Sequence, residues 1–137
     1  MPIRVINIVT RKPGMTHEEF RRRYETGHSR LALKMFGHLW TGYRRYYIKN
    51  ANSFLAASGI AAYGKGQAEC ACDAISEVIF PDTAALQESN RIASIPENKR
   101  ILEEDEATLF DRPNCWVAVA DTVEDDPRAV HAELNRN

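Results

Sequence analysis

No stretch of the 137-residue chain approaches the roughly 20 consecutive apolar residues that a membrane-spanning helix requires, so no membrane partner is expected. Net charge is almost absent too. The 18 Lys and Arg against 19 Asp and Glu leave −1, which removes the long-range attraction that binding to phosphate backbones needs. Arg21, Arg22 and Arg23 form a local basic run, but Glu18, Glu19 and Glu25 surround it, the pattern of a solvated helix face. Nucleic acid is therefore discarded as a partner. Cysteine is scarce: Cys70, Cys72 and Cys115 cannot all pair within one chain, which suits a reducing compartment and not a disulfide framework. Cys70-Ala71-Cys72 is spaced more tightly than zinc-binding pairs, so no metal site is expected. There is no phosphate-cradling glycine motif and no nucleotide fingerprint, and no cofactor is implied. Met1 to Thr10 lacks the pattern of a signal peptide, which places the expected location in the cytoplasm.

What is present is the composition of one soluble globular domain, 44% hydrophobic and 27% charged, with no room for a second core. Ile3-Arg4-Val5-Ile6-Asn7-Ile8-Val9 is rich in β-branched residues and stops at Lys12-Pro13-Gly14, which reads as a buried strand and a turn. Thr16 as cap, Glu19 completing a capping box and Met15 stapling onto Phe20 mark the start of a helix. Phe20, Tyr24, His28, Leu31 and Met35 keep helical spacing and share its inward stripe. Gly37 reads as a left-handed terminator, and Leu39 to Lys49 as a second strand.

Residues 51–72 turn to small side chains without a period and read as a long loop insertion, with one short helix near Ser53 to Ala57, and as a candidate pocket cover. Asp73 to Phe80 alternates as a third strand. Pro81-Asp82 opens a helix that Pro96 breaks before Ile101, Leu102 and Leu109 continue its apolar face, and Cys115 to Ala120 supplies a fourth strand. The domain is set at residues 1–122, with 123–137 as a C-terminal tail. The order strand, helix, strand, strand, helix, strand is the ferredoxin-like α+β arrangement βαββαβ, a four-stranded antiparallel sheet with helices on one face. Its bare face is apolar enough to mark an interface, and a homodimer through the sheet faces is expected.

Arg11-Lys12-Pro13-Gly14-Met15-Thr16 followed by Glu18-Glu19-Phe20, then His28, then Gly42-Tyr43-Arg44-Arg45-Tyr46-Tyr47-Ile48 resembles the EthD-like family of dimeric α+β barrel proteins. Asp73 to Asp82 looks like that family's third strand and second-helix start, and the matching stretches run in family order from Ile3 to Thr122. The resemblance implies proton movement on a cyclic or enolisable substrate, as in cofactor-free polyketide cyclases, small decarboxylases or dehydratases, and muconolactone isomerases. By motif it assigns His28 and Tyr46 as the pair that meets in the pocket. Tyr24 stands where the family often has tryptophan, one turn before His28.

The residues themselves give matching candidates. A histidine near neutral pH both takes and gives a proton, which isomerisation, dehydration or cyclisation of a ketone requires; the alternative for His28 is a hydrogen-bonded core histidine. Tyr46 shares a strand face with Arg44 and Ile48, opposite Tyr43, Arg45 and Tyr47, and one of the two faces lines the pocket. A tyrosine hydroxyl donates to a developing enolate, and an arginine holds its charge. Asn7, Tyr24, Arg44, Glu77 and Trp116 are the candidate substrate-binding residues, Glu77 as a carboxylate between two isoleucines that either acts as acid or base or pairs with Arg45 or a backbone donor. The expected function is a cofactor-independent lyase or isomerase on a small cyclic, aromatic or polyketide-like intermediate. The alternatives are a non-catalytic binding protein for an apolar metabolite and a haem- or quinone-type monooxygenase of the same superfamily. The haem reading is disfavoured because His131, in the tail, is the only histidine of the second half.

Overall fold

The computed structural model describes residues 1–48 and 72–136. The expected 51–72 insertion, its short helix and Cys70 therefore lie outside the described residues, apart from Cys72. Four strands, β1 (Ile3–Val9), β2 (Gly42–Tyr47), β3 (Ala74–Phe80) and β4 (Trp116–Ala120), form one sheet in the order β2-β3-β1-β4. Every neighbouring pair is antiparallel. With helices between β1 and β2 and between β3 and β4, this is the ferredoxin-like α+β fold.

Local chemistry accounts for the boundaries. After β1 the chain reverses through Lys12-Pro13-Gly14-Met15, where the Met15 N–H donates to the Lys12 carbonyl and Gly14 has φ +85°. Proline presets the first corner of such a turn, and glycine alone reaches the second without strain. Thr16 then caps α1 (His17–Arg23) by accepting from the Glu19 N–H. The reciprocal half of the expected capping box does not form, because the Glu19 carboxylate is held by Arg22 and Arg23 instead.

The first helix is not uniform. A π-helical turn over Tyr24–His28 joins α1 to α2 (Ser29–Phe36). The hydroxyls of Thr26 and Ser29 donate back to the carbonyls of Arg22 and Glu25, a habit that loosens the regular ladder. Gly37 corrects the sequence reading: its φ is −56°, right-handed, and the chain tightens into a 3-10 turn over Gly37–Leu39 before β2 starts at Gly42, not Leu39. The second helical segment is broken as expected. α3 (Thr83–Ser94), capped by Asp82, gives way to α4 (Pro96–Leu109) because the residue before a proline is driven extended, and Ile95 is so. Asn98 donates to the Ile92 carbonyl, which also accepts from the Ile95 N–H at 3.3 Å. The tail contains α5 (Pro127–Leu134), exposed except at Val130. Among the described residues no helix is long and apolar enough to cross a membrane.

The register gives each sheet face its residues. Val9, Asn7 and Val5 of β1 pair with Ala74, Ser76 and Val78 of β3, which pair in turn with Tyr47, Arg45 and Tyr43 of β2. All of these point toward the helices. Phe20, Tyr24, Val9, Ala74 and Leu109 close the core there, with Tyr24 meeting Phe20, Tyr47 and Phe110 edge to face at 5.7–5.8 Å. The other face, without helices, carries Ile6, Ile8, Ile75 and Ile79 together with Arg4, Arg44, Tyr46 and Glu77.

Candidate functional site

Between the sheet and the helices lies a cavity of about 410 Å3, inside the roughly 300–1,000 Å3 range of small-molecule sites. His28 lines it. The π-helical turn sets the His28 ring 4.8 Å from that of Tyr24 and 5.0 Å from that of Phe110, edge to face in both cases. π-helical turns recur at functional sites because they reaim a side chain that a regular helix would place elsewhere.

The imidazole is oriented by a residue from α4. His28 Nδ1 lies 2.5 Å from Asp105 Oδ2, and both side chains are largely buried. An ionised carboxylate only accepts, so this bond puts the ring proton on Nδ1. In the neutral ring Nε2 then carries the lone pair, and it has no partner among the described residues.

A patch of polar groups forms another part of the wall. Asn7 Nδ2 donates to Ser76 Oγ at 3.0 Å across the β1–β3 pair, and Tyr24 and Tyr43 adjoin it. Burial pushes the Tyr24 phenol up, and hydrogen bonding with Ser76 and Tyr43 offsets part of that push. Burial also drives Tyr43 well above the ordinary phenol value. Both remain protonated near neutral pH, and Tyr43 donates to Tyr24. The rest of the wall is apolar, with Val9, Ala32, Phe36 and Leu102. Cys115 borders the cavity as well, but burial pushes its thiol up and it donates to the Asp111 carbonyl, which makes it wall and not nucleophile. At the margin Arg112 pairs with Glu106 at 3.5 Å. No three potential metal ligands gather among the described residues.

The structure divides the residues that the sequence singled out. His28, Tyr24 and Asn7 come together around the cavity. Tyr46, Arg44 and Glu77 do not join them, which corrects the expected meeting of His28 with Tyr46. Side chains alternate along a strand, and Tyr43, not Tyr46, falls on the helix side. Tyr46 is 48% exposed on the open face. Glu77 is also on that face, flanked by Arg4 and Arg44 at 3.5 Å each, while Arg45 is turned the other way and binds Glu25. Trp116 borders the cavity from edge strand β4 but is 70% exposed. Asp105, Tyr43 and Ser76 were not singled out by the sequence.

Comparison with known proteins agrees with the architecture. A family model described as the EthD domain matches residues 12–113. No curated protein sequence matches the chain. Among solved structures, an EthD-like protein from Ralstonia eutropha superposes with a TM-score of 0.58 at 14% identity, covering 93% of this chain and 97% of that one. A dimeric ferredoxin-like protein of unknown function from Thermobifida fusca gives 0.53 at 13% identity, with 89% and 92% covered. A variant of SnoaB, a cofactor-independent oxygenase from Streptomyces nogalater, gives 0.53 at 10% identity, with 92% and 97% covered. Likenesses at such low identity carry the fold alone. The family is carried by the match over residues 12–113: the chain belongs to the EthD domain family.

Proposed function

We propose that the protein catalyses proton transfer on a small cyclic or aromatic ketone-like substrate with its own side chains, a lyase or isomerase chemistry, with His28 as general base and acid. The reading rests on one observation: Asp105 occupies Nδ1 of His28 and leaves Nε2 as the free nitrogen of a ring that lines an apolar cavity. An imidazole so held accepts a proton from carbon and returns it elsewhere on the substrate. Asn7 and Tyr24, the latter backed by Tyr43, are the donors assigned to the oxygen on which negative charge develops, and a site short of water strengthens such bonds. Tyr43 takes the part that the family resemblance gave to Tyr46.

The test uses tetralone, an enolisable bicyclic ketone, in heavy water, with loss of the α-proton signal followed by NMR. The wild-type protein is expected to accelerate exchange, and His28→Gln to lose that acceleration by roughly 10²–10⁴-fold, the usual contribution of a general base. Equal acceleration by both proteins sinks the assignment. Binding that survives with no exchange in either protein favours a carrier of apolar metabolites over an enzyme. SnoaB is described as a cofactor-independent oxygenase, and a second reading takes that chemistry, with the carbanion formed by the same proton abstraction going on to react with dioxygen. Oxygen consumption during turnover separates the two.

The open sheet face supports a homodimer. Ile6, Ile8, Ile75 and Ile79 run across it between exposed Tyr46 and Trp116, a spread of apolar surface that monomers rarely leave uncovered. The Thermobifida fusca relative is described as dimeric.

A further inference from the structure

The cavity wall is apolar or neutral over most of its extent, and a cation and an anion stand together at its margin. Among the described residues that line it, Arg112 is the one guanidinium and Glu106 the one carboxylate. Their contact is loose: Arg112 Nε lies 3.5 Å from Glu106 Oε2, and no hydrogen bond joins the two side chains. Arg45 on Glu25, at 2.7 and 2.8 Å, and Arg91 on Glu88, at 2.5 and 2.8 Å, show the two-pronged fork that such pairs otherwise form in this chain. Nη1 and Nη2 of Arg112 have no partner among the described residues, and the side chain is 52% exposed, open to a solute. The backbone beneath it is fixed. Arg112 begins a 3-10 turn with Pro113 behind it, the Asp111 N–H donates to the Thr10 carbonyl at 2.9 Å, and the Cys115 N–H donates to the Arg112 carbonyl at 3.1 Å. Two residues earlier in the chain, the Phe110 ring meets His28 at 5.0 Å.

We propose that Arg112 anchors a carboxylate on the substrate, so that the ligand of this cavity is a cyclic or aromatic acid whose apolar body enters and whose charged group stays at the margin. The inference rests on the reading of the cavity given above and deepens it by naming the substrate class. Physical chemistry divides such a ligand in this way. A carboxylate drawn among Val9, Ala32, Phe36 and Leu102 would lose its hydration without compensation, whereas at the margin a guanidinium offers it two parallel N–H donors. Glu106 has the part of a placeholder. It holds Arg112 by charge alone while the cavity is empty, and the incoming carboxylate competes with it for the same cation. Because the anchor sits on a pinned turn beside Phe110, it limits how the apolar body can turn against the His28 ring, which makes Arg112 a residue of specificity and orientation and not of proton transfer.

The two partners of the pair carry opposite forecasts, read by titration calorimetry at neutral pH with 2-naphthoate and its uncharged counterpart 2-acetylnaphthalene. Arg112→Gln is expected to weaken naphthoate roughly 10-fold, the lower end for a hydrogen-bonded charge at a half-exposed site, and to change the ketone by less than about twofold. Glu106→Gln removes the competitor and is expected to tighten naphthoate by about threefold, again with the ketone nearly unchanged. Arg112→Lys keeps the charge without the fork and should recover only part of the loss. Circular dichroism verifies the fold of each variant. Loss of affinity for both probes alike in Arg112→Gln, or a weakening of naphthoate by Glu106→Gln equal to that by Arg112→Gln, marks a structural ion pair and overturns the anchor. So does a wild-type protein that binds neither probe. Calorimetry does not depend on turnover, so the two readings fail separately: tetralone exchange that persists without an Arg112 effect on naphthoate leaves proton transfer standing, and an Arg112 effect without exchange keeps the acid-binding cavity and removes the enzyme.

Discussion

Asp105 decides which nitrogen of His28 holds the proton, and the site's chemistry turns on that choice. Asp105→Asn keeps the shape but replaces a pure acceptor by an amide that also donates, so Nε2 no longer has to carry the lone pair. The expected result is a fall in kcat of roughly 10²-fold with KM nearly unchanged, since a base in the wrong tautomer binds substrate but does not take its proton. A nitrogen-15 spectrum of the His28 ring checks the cause: protonated Nδ1 in wild type, a mixed tautomer in the variant. A fall in activity with an unaltered ring spectrum denies Asp105 its positioning role. At this scale the sequence was only half legible. His28, Tyr24 and Asn7 stood out because each is semi-polar or polar within an apolar stripe. Asp105 did not, because it sits in Glu103-Glu104-Asp105-Glu106, where nothing local marks which carboxylate turns inward and its partner is 77 residues away. Tyr43 and Tyr46 were ambiguous for a related reason. Tyr43-Arg44-Arg45-Tyr46-Tyr47 puts an aromatic and an arginine on each face, so alternation was evident but its sense was not.

Elements were more legible, since their ends are written in local chemistry: the Pro13-Gly14 turn, the Thr16 cap and the Pro96 break all stand where the sequence put them. The π-helical turn was not, because no residue pattern distinguishes it from a regular helix; Tyr24 and His28 within it both meet Phe110 edge to face. What ties that turn to the sheet is a clamp. Arg45 of β2 grips the Glu25 carboxylate with Nε and Nη2 at 2.8 and 2.7 Å, and the Tyr47 hydroxyl donates to the same group. The Arg45 guanidinium foremost, with Tyr47 adding to it against the opposing effect of burial, holds this carboxyl at about 2, against an ordinary value of 4.5. A carboxyl with a depressed folded value stabilises the fold fully above its free value and loses that contribution as pH falls toward the folded one. The window is therefore pH 4.5 down to about 2. Glu25→Gln should melt below wild type at neutral pH, and the two melting curves should converge as the window is crossed. A constant offset down to pH 2 would mean that the clamp contributes shape and not charge.

At the scale of the whole molecule, the question is what the 123–137 tail adds. α5 has eight residues, fewer than an isolated helix needs to persist in water, so its order ought to come from packing. Yet Leu134 is 79% exposed and Val123 91%, and the residues of β4 on the helix side, Val117 and Val119, are exposed as well. The tail thus covers neither the sheet edge nor the cavity margin of its own copy, and among the described residues its one ion pair to the body is the 3.8 Å contact of Glu124 with Arg4. A chain ending at residue 122 should therefore keep the sheet, the cavity and His28-dependent exchange, and melt within about 2–4 °C of the full chain, the shift expected for roughly 1 kcal/mol or less. The dimer supplies the sharper reading of the same experiment. If β4 and α5 of two copies cover one another, truncation will weaken self-association while leaving the monomer's spectrum intact apart from one short helix. Unchanged association would place the domain boundary at 122 and leave the open sheet face to hold the pair by itself.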